Sequence, residues 1–596
     1  MNVFDTYNLY FKKYFPNLRR SQEDLLQQFE KIRDKYKAID IEAPPGSGKS
    51  LVNMIIAFSE ENNFDDIYNK IVISSHTKIL QKQYINSFKK LLEDHNISYA
   101  IGLGGNNFIC KLLNKPPNFC LVHLGLRCKY LPKIIEGTYK KLISSLDLNH
   151  FALFGFSLPF AIENPRLKVK AIREDIECPY WQNEYKIFKS KVIFTNHHYL
   201  LYHLLFSQTL PAPSVLVIDE SHLLPEVFSQ IFTIRIDPKI YNFLIENGFI
   251  SSRSDIISFS NDYLTFINFL KVVKNHYKEI VSTAKKTKGY LRIRLLKTIE
   301  TLRIFYLLYK WAIQRKSNIS KIFILKLYND TILILPTFQS YLMITDYIVA
   351  SSKNLVIASS ATQLPPGRSI GIRRISSYLD MFPPANRPVI YIKDFPNITN
   401  NTISDEKVQT FTLQLINTLW KYPHLRRIVI HSTNNFIKEY LGSLLTKYGF
   451  PTIVTGNNIH EDFEEWLKIP EGIIISAGLE EGIDLKGDIA RVQILIKIPL
   501  FDLYHDPFML WIKKEDPLLY NYYIVRRIVQ ISGRICRSHD DFGMTIILDK
   551  RALDHYNKYA HLYPLYFKVA TKIFTRGMLI NFIHQIAQSN IFLKKI

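Results

Sequence analysis

Residues 43–50 read Ala-Pro-Pro-Gly-Ser-Gly-Lys-Ser, and residues 219–222 read Asp-Glu-Ser-His. The first stretch has the residue types that cradle a polyphosphate. Pro44 and Pro45 carry no N–H, so the backbone donors come from Gly46, Ser47, Gly48, Lys49 and Ser50, at a helix start whose dipole favours an anion. The Lys49 ammonium would reach the β- and γ-phosphates and the Ser50 hydroxyl would bind Mg²⁺. Ala43 stands where such loops usually begin with Gly. The second stretch supplies carboxylates: Asp219 to hold Mg²⁺ through water and Glu220 to polarise an attacking water. Either stretch alone is common. Together they point to hydrolysis of ATP or a similar nucleotide.

The surrounding residues form the elements that such groups need. KAIDIE (37–42) reads as an apolar strand entering the loop, and LVNMIIAF (51–58) as the helix leaving it. SVLVID (214–219) is a buried-strand run that ends at the acidic pair. In the C-terminal third, RRIVIHST (426–433), GIIISAG (472–478), RVQILIKIPL (491–500) and GMTIILDK (543–550) read as mostly buried strands, the pattern of a second parallel sheet. Between the last two lies RRIVQISGRICRS (526–538). As one helix it would place Gln530, Arg534 and Arg537 on a single face, with the arginines offered to a γ-phosphate.

Bulk composition sets the partners. Lys and Arg number 76 against 53 Asp and Glu, a formal net charge of +23, which suits an anionic partner such as a nucleic acid. The N-terminus lacks a signal-peptide pattern, and the longest apolar run, FALFGFSLPFAI (151–162), is short and contains Pro159. An intracellular protein is expected, cytoplasmic (nucleoid-associated) or nuclear, neither secreted nor in a membrane. In a reducing compartment, clustered cysteines read more readily as metal ligands than as disulfides. Of five cysteines, Cys110, Cys120 and Cys128 fall within nineteen positions and Cys178 follows. The intervals contain no CxxC, so ferredoxin and zinc-ribbon spacing is absent. Buried free thiols and a four-cysteine zinc site remain open alternatives. Cys536 reads as a core thiol.

These motifs, in this order, resemble the superfamily 2 DNA helicases of the XPD/DinG type. Arg19 and Gln22 in RRSQEDLL look like that family's adenine-side motif. VISSHTKILQKQ (72–83) looks like its DNA-backbone motif, with Thr77 in the turn, and IFTNHHYLL (193–201) matches its Asn196-His197 segment. Asp219 to His222 stands where the family carries Asp-Glu-Ala-His. Ser360-Ala361-Thr362 matches the motif that links hydrolysis to movement. Glu481-Gly482-Ile483-Asp484 and Gln530 through Arg537 match the last two motor motifs, and Ser432 and Thr433 stand at a strand end suited to DNA contact. The resemblance implies ATP contacts from Gly482, Asp484 and Gln530. It also gives the cysteines an address. Asn107-Phe108-Ile109-Cys110 and Cys178-Pro179-Tyr180 look like the two ends of the family's iron–sulfur domain, with Cys110, Cys120, Cys128 and Cys178 as ligands of a 4Fe–4S cluster. The spacing of Cys120 and Cys128 departs from the closer pair of many relatives.

The expected fold is α/β: two RecA-like motor domains with parallel sheets, the first interrupted by a small iron–sulfur domain and a mostly helical arch domain. Motor domain 1 would comprise residues 1–104, 181–235 and 336–385, the cluster domain 105–180, the arch 236–335 and motor domain 2 residues 386–596. The basic run KKTKGYLRIRLLK (285–297) would lie in the arch, on DNA or on a solvated helix face. The resemblance implies an ATP- and Mg²⁺-dependent DNA helicase moving 5′→3′ on single-stranded DNA and opening forked duplexes beside the cluster domain. Accessory repair or replication proteins are unspecified. Two other readings are a translocase or RNA–DNA remodeller within a larger complex, and a DNA-binding scaffold whose motor has decayed. The intact Lys49, Asp219, Glu220, Arg534 and Arg537 argue against decay.

Overall fold

The computed structural model describes residues 1–61, 69–112, 114, 177–207, 210, 212–251, 263–287, 289–314, 322–328, 330–379, 383–456, 458–477, 485, 487–536 and 541–588. Cys120, Cys128, Glu481 to Asp484, Arg537 and most of the expected cluster domain lie outside these residues. The chain divides into two compact units. One holds Met1–Leu18, Leu25–Ile41 and Ser50–Ile375; the other holds Arg19–Asp24, Glu42–Lys49 and Ser376–Ile596.

In the first unit, short apolar runs become strands β1 (Ala38–Glu42), β2 (Ile71–Ser75), β3 (Tyr99–Ile101), β4 (Val192–Asn196) and β5 (Val215–Asp219). β2 and β5 are buried along their whole length, as β-branched segments covered on both faces must be. With β9 (Leu355–Ser360) and β10 (Arg373–Ser376) they form a seven-stranded sheet in the order β10-β1-β9-β5-β2-β4-β3. The pairs β5–β9, β2–β5, β2–β4 and β3–β4 are parallel. Parallel pairing aligns the C-terminal ends of β5 and β9, so Asp219 sits in register with Ser359. It likewise sets Ser75 opposite Asn196.

Between β5 and β9 the chain forms β6 (Ile234–Ile236), the helices Pro238–Glu246, Tyr263–Asn275, Tyr277–Lys286 and Gly289–Gln314, then β7 (Phe323–Tyr328) and β8 (Thr331–Pro336). The helical character agrees with expectation. The antiparallel sheet β6-β8-β7 was not foreseen. The basic run spans two of the helices, Tyr277–Lys286 and Gly289–Gln314.

The second unit carries β11 (Val389–Ile392), β12 (Arg427–His431), β13 (Thr452–Val454), β14 (Gly472–Ser476), β15 (Val492–Leu495), β16 (Met544–Ile547) and β17 (Thr571–Phe574). Their order is β13-β14-β12-β15-β16-β11-β17 and every pairing is parallel. Ile428, Ile430, Ile473, Ile475, Ile494 and Ile546 fill one shared core. Two parallel α/β sheets of this kind are the RecA-like pair anticipated from the sequence.

Asp40 ties the edge strand β10 to β1. Its carboxylate accepts from Ser369 Oγ at 2.6 Å and from the Gly371 N–H at 3.1 Å, and pairs with Arg374 at 3.4 Å. A Cβ on Gly371 would lie 2.4 Å from the Asp40 backbone nitrogen, so only Gly fits there. Burial outweighs these partners and pushes the Asp40 pKa up from 3.8 to about 6. The folded state then holds a proton that the unfolded state has lost. Asp40's contribution is therefore full below its unfolded pKa and disappears as pH rises through 6, a change of ~3 kcal/mol. In urea unfolding, the wild type should gain stability over Asp40→Asn on going from about pH 7 to about pH 4. Parallel profiles for the two proteins would contradict this.

Candidate nucleotide and nucleic-acid site

The phosphate loop follows β1 and opens the helix Lys49–Glu60. Gly46 and Gly48 take φ of 76° and 79°, a region that residues with a Cβ rarely adopt. A Cβ on Gly48 would also stand 2.2 Å from Gln22 Nε2. Gln22 Nε2 donates to the Gly48 carbonyl at 3.3 Å, and the Arg19 guanidinium donates to the Gly46 carbonyl. Gln22 Oε1 in turn accepts from the Arg19 N–H at 2.9 Å. Arg19 and Gln22 thus brace the backbone of the phosphate loop. Lys49 Nζ donates to the carbonyls of Ala43 at 3.0 Å and Pro44 at 3.3 Å.

Within the first unit, Ser50 and Asp219 belong to one polar group. Ser359 Oγ donates to Asp219 Oδ1 at 2.7 Å, and Asn53 Nδ2 donates to Ser359 Oγ at 2.7 Å. Asn53 Nδ2 also reaches Tyr84 OH at 3.2 Å. The Tyr84 phenol is held well above its ordinary pKa by burial first and by the Asp219 charge second, with Ser50 among its hydrogen-bond partners. A serine hydroxyl and a carboxylate so grouped are a donor set suited to hydrated Mg²⁺. Glu220, one residue on, takes left-handed φ of 54°, an uncommon conformation for glutamate and one that turns the chain sharply off β5.

The next two residues join the acidic motif to Ser360-Ala361-Thr362. His222 Nδ1 lies 2.6 Å from Ser360 Oγ and 3.4 Å from Glu220 Oε2. Ser221 Oγ donates to Gln363 Oε1 at 3.1 Å. Ser360 Oγ also bonds the Thr362 backbone, accepting from its N–H and donating to its carbonyl, each at 3.0 Å. A shift of the 360–362 turn therefore bears directly on the residues after Glu220.

The residues expected to touch DNA divide into two sets. Thr77 accepts from the Leu80 N–H at 3.2 Å and Asn196 from the Tyr199 N–H at 2.9 Å, each capping a helix that leaves the sheet edge shared by β2 and β4. Both are half-buried. Thr433 is half-buried at φ 56°, a strained setting for a β-branched residue. His197 and Ser432 need correction as side-chain contacts. His197 is fully buried with Nδ1 2.8 Å from Ser74 Oγ, and burial brings its pKa down to about 3. Ser432 is also fully buried, its hydroxyl donating to the Asn434 carbonyl at 3.1 Å.

The shared helical face of Gln530, Arg534 and Arg537 also needs correction. The helix is Pro517–Ser532 and Gly533 is its C-cap. Ser532 Oγ donates back to the Val529 carbonyl at 2.8 Å, and the Arg534 N–H bonds the Ile531 carbonyl at 3.1 Å, so the last turn tightens and stops. Gln530 lies in the helix and Arg534 beyond it, half-buried, with its charge felt by buried His431. Gly482, Asp484 and Arg537 lie outside the described residues. Cys536 is buried, its thiol donating to the Asp541 carbonyl at 3.3 Å, as a core thiol would.

Cys110 and Cys178 are half-buried thiols, in no disulfide among the described residues. Their flanks meet: the Phe108 and Tyr180 rings make an edge contact at 5.8 Å, and Lys111 pairs with Glu177 at 3.4 Å. Cys178 is the N-cap of the helix Pro179–Lys189. Among the described residues no three His, Cys, Asp or Glu side chains converge on a metal position. No described helix is long and apolar enough to cross a membrane.

Asn53, Tyr84 and Ser359 were missed by the motif reading. Asn53 carried a usable signal, being a lone amide in an apolar helix one turn from Ser50. Tyr84 and Ser359 carried none, because their roles arise from packing between distant segments.

Residues 13–152 match the DEAD/DEAH box helicase family and residues 431–565 match the helicase C-terminal domain family. Two segments of the chain are thus similar to helicase motor domains. Over 119 residues it is 30% identical to a probable ATP-dependent helicase of Methanocaldococcus jannaschii, a match covering 20% of this chain and 17% of that protein. Among solved structures, S. tokodaii Xpd4 aligns with 93% of this chain and 99% of its own at 13% identity and a TM-score of 0.48. S. cerevisiae Dbp5 bound to RNA and ADP BeF3 aligns with 98% of this chain and 97% of its own at 8% identity and a TM-score of 0.41. Mycobacterium smegmatis Lhr bound to ssDNA and AMP-PNP aligns with 98% and 52% at 10% identity and a TM-score of 0.39.

Proposed function

We propose that this chain is an ATP-dependent DNA helicase that moves 5′→3′ on single-stranded DNA and opens forked duplexes. The observation that carries the reading is the joined group of Asp219, Ser359, Asn53 and Tyr84 beside Ser50, coupled onward through His222 to Ser360. A cation-binding pair wired to a turn is what a motor needs if hydrolysis is to be felt by strand-contacting segments. In this account Lys49 and the loop amides bind the phosphates, Ser50 and Asp219 hold the cation and Glu220 orients water. Arg534 and Arg537 stabilise charge on the γ-phosphate, and Gln530, Gly482 and Asp484 contribute to ATP binding. Thr77, Asn196 and Thr433 lie along the strand. The net charge of +23 supports an electrostatic share in that binding.

The reading includes a 4Fe–4S cluster on Cys110, Cys120, Cys128 and Cys178. Cys110 and Cys178 fit as the outer ligands, since both are thiols and their flanks are tied together across the long intervening segment. Such a cluster would hold a small domain together beside the strand. DNA as the substrate, the polarity and the six-segment domain division rest on the family resemblance.

Two outcomes are expected. With forked DNA carrying a single tail, the full chain should open the 5′-tailed fork in an ATP-dependent way and leave the 3′-tailed fork closed, and Lys49→Ala should open neither. Preference for the 3′ tail would overturn the polarity, and preference for RNA–DNA hybrids would favour the remodeller reading. Anaerobically purified protein should contain about four iron and four acid-labile sulfide per chain. Zinc, or no metal in a protein that still hydrolyses ATP, would remove the cluster and leave the motor.

A further inference from the structure

We propose that Asn53 and Ser359 are positioning residues for the divalent cation, fixing the Asp219 carboxylate and presenting an oxygen to the cation's hydration shell. The inference rests on the nucleotide-site reading above and goes further, because no motif assigns either residue.

Four elements converge on this group. Ser50 and Asn53 lie three residues apart on the helix Lys49–Glu60 and so share a face. Tyr84 comes from the helix Lys78–Asp94, Ser359 from β9 and Asp219 from β5, where the two strands pair them in register. Asn53 and Ser359 are fully buried, and Tyr84 and Asp219 nearly so. Asn53 is surrounded in sequence by Leu51, Val52, Met54, Ile55 and Ile56, all buried. An amide in such a setting is costly unless its hydrogen bonds are made.

The direction of the bonds is set by chemistry. An ionised carboxylate only accepts, so the Ser359 hydroxyl hydrogen goes to Asp219 Oδ1. Ser359 Oγ can then only accept from Asn53, which makes that amide atom a nitrogen and rules out the flipped side chain. The relay runs Asn53 to Ser359 to Asp219. With Nδ2 committed to Ser359 and Tyr84, Asn53 Oδ1 is left buried with no hydrogen-bond partner among the described residues. A buried acceptor of this kind marks the place of an ordered water. One helical turn from Ser50, a cation-bound water would satisfy it. Partners outside the ligand shell orient ligands and typically govern roughly 10- to 100-fold of metal affinity.

The test is binding of mant-ADP to the full chain, in EDTA and across a Mg²⁺ series. For wild type, Mg²⁺ should tighten binding with a defined midpoint concentration. In Asn53→Ala and Ser359→Ala that midpoint should rise roughly 10- to 100-fold while affinity in EDTA stays unchanged. The double variant should lose no more than the weaker single, because both act through one relay. If Asn53→Ala does not fold, Ser359→Ala carries the test alone. A Ser359→Ala midpoint within about threefold of wild type, or losses that simply add, would overturn the positioning role and leave the nucleotide site standing. A wild type that binds no mant-ADP, or binds it without regard to Mg²⁺, would overturn both.

Discussion

The parallel pairing of β5 with β9 sets Asp219 opposite Ser359, and the chemistry assigned to this chain hangs on that alignment. A slip of either strand by one residue would turn its side chain to the other face of the sheet, away from its partner. It cannot occur cheaply, because both strands are buried along their whole length and their apolar residues fill the layers on either side. Register in the core is thus what fixes a carboxylate oxygen to within hydrogen-bond distance of a serine hydroxyl. The same pairing delivers Ser360 one residue later, where it meets His222.

Around this alignment, polar side chains are used sparingly. Asn53, Ser359, His222 and Ser360 are all fully buried, and each has at least one partner. Such a network is rigid when satisfied and expensive when broken. Rigidity suits the proposed cation site. The left-handed conformation at Glu220 shows where the backbone departs from its relaxed course to place a side chain. Asp40 makes a similar arrangement beside the sheet's β10 edge, for structural ends.

Much of this was legible in the sequence, for identifiable reasons. The phosphate loop reads clearly because Gly46 and Gly48 are required by backbone geometry, and the acidic pair because it ends an unmistakably apolar strand. The two parallel sheets follow from runs such as VLVID and GIIIS. Other features depend on contacts that spacing does not encode. Apolar periodicity through 526–535 gave no sign that Ser532 would turn its hydroxyl back on Val529 and end the helix before Arg534. His197 sits in a polar-looking Asn-His-His run, yet Ser74 draws it inside. The β7–β8 hairpin did carry a signal, the near-continuous apolar runs FILKLY and TILILP on either side of Asn329-Asp330, which the length of the helical insertion concealed.

The central claim is that Glu220 orients water for a hydrolysis that responds to a single strand. The most direct measurement is ATP turnover by the full chain with and without single-stranded DNA, with Glu220→Gln alongside. The account predicts that DNA raises wild-type turnover, and that Glu220→Gln falls by ~10²- to 10⁴-fold while still binding nucleotide. Wild-type turnover indifferent to DNA, or a Glu220→Gln protein as active as wild type, would contradict it.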